Sequence, residues 1–188
     1  MKKILVVMMA LFVLSFNQAY AKGSDLSRFS DDSRVISALE VLQNVGSEDV
    51  FSRLDKSGTK IIFYDLSLMS FSYAKHYAVS STDENGNNYI LINEKFRSSP
   101  KEAIACLIAH ESVHVLPQAT LDEEVRATTT EAQTWMKVKN SVSSQSGDDL
   151  IARENKLANM YKASTPYDNL IKDSIAGNSF YKQQLAMQ

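Results

Sequence analysis

From Asp32 onward, apolar side chains at Val35, Ile36, Leu39, Val41 and Leu42 recur with a helical period, and the pattern closes over Asn44 to Gly46. This predicts an amphipathic helix, followed by a shorter one around Asp49 to Leu54 that stops at Gly58. The preceding residues 22–31 are polar and read as loose chain. The period then changes. Lys60 to Leu66 is apolar and β-branched at its centre, Tyr73 to Ser81 and Tyr89 to Asn93 also read as strands, and a polar stretch separates the last two. Asn85-Gly86 lies in that stretch and supplies the positive φ of a tight loop, so the second and third strands are expected to pair antiparallel.

After Phe96 the pattern is helical again. Ser99-Pro100-Lys101-Glu102 reads as N-cap, Pro at N1 and capping-box Glu, predicting a helix from Pro100 to about Val115 that ends before Pro117. Thr120 to Glu123 repeats the capping signal for a helix from Leu121 to about Lys139. Ser141 to Gly147 is a linker, Asp148 to about Lys162 a further helix that opens on the Asp148-Asp149 charge pair, and weaker helical turns follow the Thr165-Pro166 break up to Leu185. The expected fold is α+β: a small, mainly antiparallel sheet of about three strands packed on the Pro100–Val115 helix, with the Leu121–Lys139 helix beside it and further helices at both ends.

The beginning of the chain changes the setting. Lys2 and Lys3 precede an apolar run from Ile4 to Phe16, and Ala19-Tyr20-Ala21 matches the small-x-small pattern of signal cleavage. Residues 1–21 are therefore expected to be a signal peptide, since that run is shorter than the ~20 residues needed to span a bilayer. The core is expected over residues 22–140, with a helical segment over 141–188 packed on it. Loss of Lys2 and Lys3 takes the net charge from −2 to −4, which speaks against nucleic acid as a partner. The single cysteine, Cys106, cannot form an internal disulfide and reads as a small buried side chain. The expectation is a secreted or periplasmic protein with no stable membrane anchor.

The chemistry is concentrated in His110-Glu111-Ser112-Val113-His114. At 100° per residue, two imidazoles four positions apart on a helix share a face and can aim at one ion, an arrangement suited to tetrahedral Zn2+. Glu111, rotated away from the histidine line, can serve as general base to a water in the remaining position. A third protein ligand is needed, and no His follows six residues after His114, so it is expected to be a carboxylate. In an antiparallel hairpin of the two central helices, His114 lies opposite residues 122–124, whereas Glu131 lies opposite Cys106, about two turns from the histidines. Glu123 is engaged if it completes the capping box. Glu124 is then the first choice, with Glu131 and Glu123 as alternatives. Glu131, on the same face as Glu124, could instead orient His110 through its outer ring nitrogen. Trp135 is expected to pack behind the second helix.

His110-Glu111-Ser112-Val113-His114 followed by Glu124-Val125-Arg126-Ala127 resembles the gluzincin metallopeptidases over Lys60 to about Lys139, as a compact, minimal member. The resemblance implies a zincin-like fold, His110, His114 and Glu124 as zinc ligands, and Glu111 as general base and acid in peptide-bond hydrolysis. It also implies that Tyr89 to Asn93 is an edge strand along which a peptide or protein substrate lies extended. A Tyr or His would stabilise the oxyanion, with Tyr161, Tyr167, Tyr181 and His76 as candidates. The pattern departs from the family in two ways. The gap between motif and ligand is short beside thermolysin-like enzymes. Many gluzincins carry an Asp four residues after the ligand Glu, where this chain has Thr128 after Glu124 and Trp135 after Glu131. The alternative function is a binding or inhibitory protein in which zinc serves stability alone.

Overall fold

The computed structural model describes residues 25–114, 120–142, 147–165 and 169–178. The expected leader, the Pro117 and Pro166 helix stops, Tyr167, Tyr181 and any turns beyond residue 178 lie outside the described residues. Two helices open the fold. Helix α1 (Ser33–Asn44) is capped by Asp32, whose carboxylate accepts from the Arg34 amide, and it buries Val35, Ala38, Leu39, Val41 and Leu42 along one stripe. Helix α2 (Glu48–Ser57) buries Val50, Phe51 and Leu54 and ends at Gly58, whose φ of 61° closes the helix in the left-handed region. Residues 25–31, before α1, are packed on the core, contrary to the expectation of a loose segment. Leu26 and Phe29 are buried, and the Phe29 carbonyl accepts the Ile61 amide at 2.8 Å. Two large apolar side chains in an otherwise polar stretch suffice to bind it to the core.

The sheet has three strands, β1 (Lys60–Tyr64), β2 (Ala78–Thr82) and β3 (Asn88–Asn93), in the order β1-β3-β2. β2 and β3 pair antiparallel as expected, with Val79 opposite Leu91, around a loop in which Gly86 has φ 82°. β1 pairs with β3 in parallel, with Ile61 opposite Ile90. The sheet is therefore mixed and not mainly antiparallel, and Tyr89 to Asn93 is its central strand, not an edge. The physical reason lies in side-chain composition. β3 is apolar on both faces, burying Ile90 and Ile92 on one side and Leu91 on the other, which suits a central strand whose two faces are both covered. β2 carries Ser80, Ser81 and Thr82, which suit an exposed border. The strand expected from Tyr73 also starts later. Tyr73–Lys75 is a 3-10 turn, held by Asn93 Nδ2, which donates to the carbonyls of Ala74 and His76.

Helix α3 (Lys101–Glu111) is the central rod, with every residue from Ala103 to Ala109 buried. It starts at Pro100, and Ser99 does not cap it with its side chain, because the Ser99 hydroxyl donates instead to Asp148 at 2.9 Å. The helix tightens into a 3-10 turn at Ser112–His114, so the two motif histidines sit on either side of a change in helical pitch. Helix α4 (Leu121–Val138) starts at Thr120, whose hydroxyl accepts the Glu123 amide. Helix α5 (Asp149–Ala163), capped by Asp148, adds Leu150 and Ala158 to the main core, and Trp135 of α4 reaches it through Nε1 to Asn155 at 3.0 Å. Helix α6 (Leu170–Gly177) closes a satellite cluster of Ala132, Ile171 and Ile175. The architecture is α+β. Among the described residues no helix is long and apolar enough to cross a membrane.

Candidate metal centre

His110 comes from the last turn of α3, His114 from the 3-10 turn after it, and Glu124 from the first turn of α4. Their potential ligand atoms all lie within 4.8 Å of one another. The two Nε2 atoms are 3.3 Å apart, and the Glu124 oxygens stand 3.7 Å from His114 Nε2 and 3.9 Å from His110 Nε2. For comparison, two nitrogens at Zn–N distances of 2.0–2.1 Å on a tetrahedron are separated by about 3.3–3.4 Å.

The outer ring nitrogens decide what the inner ones can do. His110 Nδ1 is 2.8 Å from Glu131 Oε2, and His114 Nδ1 is 2.7 Å from Glu123 Oε1. Carboxylates accept only, so each Nδ1 donates, and in the neutral ring the lone pair is then on Nε2, turned toward the gap. Two nitrogen lone pairs and a carboxylate then converge. Glu124 Oε2 is buried there without a hydrogen-bond partner. Such a set of acceptors repels itself unless a cation or a proton lies among them, and two imidazole nitrogens with a carboxylate oxygen form a donor set that zinc accepts. Burial lowers the pKa of His110 to about 4, with the nearby His114 and Arg153 acting in the same direction and Glu111 opposing. Burial also acts downward on His114, but the carboxylates of Glu111, Glu124 and Glu123 outweigh it and raise its pKa.

Glu111 is buried beside this cluster, and its carboxylate Oε2 accepts from the Ser80 hydroxyl at 3.0 Å. The same hydroxyl contacts the Glu111 carbonyl at 3.0 Å, so β2 is pinned to the end of α3. A cavity of 550 Å³ opens over these groups. It is lined by His110, Glu111, His114 and Glu124 together with Tyr73, His76, Tyr77 and Val79. The strand bordering it is β2, through Ala78, Val79 and Ser80, and not β3.

The fold thus brings His110, Glu111, His114 and Glu124 to one place, while Glu123 and Glu131 face the outer nitrogens and not the gap. The hairpin estimate put Glu131 about two turns too far away. It assumed an even α-helical rise through His114, whereas Ser112–His114 is a 3-10 turn. It also assigned the Glu123 side chain to the capping box, but only its amide is engaged there and its carboxylate is spent on His114. Thr128, four residues after Glu124, is buried. Of the proposed oxyanion donors, His76 lines the cavity, whereas the Tyr161 hydroxyl accepts from Gln133 Nε2 at 2.8 Å on a different face. Cys106 is fully buried, and burial drives its thiol pKa well up.

Sequence reasoning missed Ser80 and Arg153. Arg153 of α5 pairs with Glu131 and Glu154, stands 4.6 Å over the Tyr77 ring, and borders the cavity. Both lie about 30 positions from the nearest of His110, Glu111, His114 and Glu124, so no local pattern could have disclosed them. Searches with the chain against protein-family models, curated proteins and solved structures produced no match.

Proposed function

We propose that the chain is an exported zinc metallopeptidase of compact gluzincin type. The observation that carries this reading is the convergence of His110 Nε2, His114 Nε2 and the orphaned carboxylate of Glu124, with a carboxylate behind each imidazole. A zinc ion bound there supplies Lewis acidity, lowering the pKa of a water towards ~7 and polarising a scissile carbonyl. The protein residues do the rest. Glu131 and Glu123 hold both rings in the Nδ1–H tautomer and keep their Nε2 atoms aimed inward. Glu111, held through Oε2 by Ser80, keeps its other oxygen for the proton of the attacking water and hands it to the leaving amine. β2, as the border strand of the cavity, offers main-chain hydrogen bonds to an extended peptide without strict demands on its sequence. His76 lines the same cavity and is the described candidate for stabilising the oxyanion.

The test begins with zinc stoichiometry in purified protein, expected at one per chain and lost in His110→Ala. Glu111→Gln is expected to retain zinc and to lose hydrolysis of an unfolded protein substrate. Equal turnover in both forms ends the enzyme reading. Zinc retention with no turnover in the wild type leaves the zinc-stabilised binding protein as the function.

A further inference from the structure

The large apolar side chains exposed among the described residues are Ile62, Leu68, Met69 and Phe71, and three of the four fall within one short segment. Leu68 is 71% exposed and Phe71 86%. Single exposed hydrophobics need no explanation, but a run of them on a fixed support does. The support here is firm. Asp65 caps the 3-10 turn Leu66–Leu68 through the Ser67 amide, and the Ser67 hydroxyl donates to the same oxygen at 2.6 Å. Ser70 and Ser72 bond to each other at 2.7 Å, and Leu66 and Tyr73 anchor the segment on Val79 and Leu91 of the sheet. The segment then runs into the cavity, whose lining includes Ser72, Tyr73 and Tyr77 as well as Glu111. An apolar surface therefore continues from the cavity wall to the protruding tip. From Leu66 to Thr82 the chain has no acidic residue and one lysine, Lys75.

We infer that residues 66–77 are a recognition segment that captures an extended polypeptide rich in aliphatic and aromatic side chains and leads it into the cavity. This rests on reading the cavity as a peptide site. A membrane surface fits less well, because a short apolar tip needs a polybasic surround to bind lipid stably, and Lys75 is a single charge.

The test uses the zinc-loaded Glu111→Gln protein and two labelled peptides of equal length, one rich in Leu and Phe and one rich in Ser, Glu and Lys. Fluorescence anisotropy is expected to show tighter binding of the apolar peptide. Leu68→Ser combined with Phe71→Ser is expected to weaken that binding about tenfold or more while leaving the melting temperature unchanged. Should the double variant misfold, Phe71→Ala alone carries the test. Equal affinity for the two peptides, or an apolar-peptide affinity unchanged in the variants, overturns the inference. So does sedimentation with phosphatidylglycerol vesicles that depends on Phe71 while peptide affinity does not. Turnover plays no part in this measurement, so a protein that hydrolyses nothing still returns an answer. Hydrolysis with unchanged peptide affinity removes this inference and leaves the metallopeptidase reading standing.

Discussion

Glu154 is fully buried on α5, with Arg153 Nη1 at 3.2 Å from one oxygen and no hydrogen-bond partner for the other. Burial pushes its pKa up to about 8, the Arg153 contact opposing only in part. Folding therefore takes up a proton at this site between about pH 4.5 and 8. The stability it contributes is complete below the unfolded value and is lost as pH rises through the folded one. At ~1.36 kcal/mol per pH unit, the displacement from the ordinary 4.5 to about 8 corresponds to about 5 kcal/mol, of which about 4 falls between pH 5 and 9. Glu154→Gln keeps the shape and removes the titration. Urea unfolding in the presence of a chelator, measured from pH 5 to 9, should show wild-type stability falling towards the variant's and then below it. The difference between the two proteins should change by about 4 kcal/mol. Parallel stability curves would refute the reasoning. The link to the site is direct. With Glu154 protonated near neutrality, the Arg153 charge is left to Glu131, whose carboxylate also contacts His110 Nδ1 at 2.8 Å.

Three further outcomes are expected. Glu131→Gln should lower zinc affinity about 10–100-fold in a chelator competition, because the His110 ring loses the carboxylate that fixes its tautomer; unchanged affinity would remove that role. Ser80→Ala should retain zinc but lower kcat about tenfold, with Ser80→Thr restoring part of it, since the hydroxyl holds the Glu111 carboxylate; a change confined to KM would contradict this. Gly58→Ala meets no atom within 4 Å, so its cost is backbone strain alone at φ 61°; thermal melts should show a loss of about 1–2 kcal/mol.

Most helices were legible in the chain because their signals are local. Asp32, Thr120 and Asp148 cap where a short polar side chain precedes an apolar period, and α1, α4 and α5 begin there within a residue of expectation. Ser99 misled because a competing partner, Asp148, lies 49 positions away and draws its hydroxyl from the helix start. The sheet was legible in its segments but not in its order. A strand pattern records which faces are buried, not which neighbour buries them, and only the three-dimensional arrangement set β3 between β1 and β2.

By itself the amino-acid sequence determined that His110 and His114 share a helical face, that Glu111 lies beside them, and that an acidic helix start follows within reach. Each of these depends on residue spacing and helical pitch alone. Only the tertiary structure decided that Glu124 faces the gap while Glu123 and Glu131 stand behind the rings, that β2 borders the cavity, and that Ser80 and Arg153 belong to the site. Those outcomes depend on a sub-turn offset between two helices and on contacts across 22 to 31 positions of chain. Packing sets such offsets, and no periodicity in the sequence encodes them.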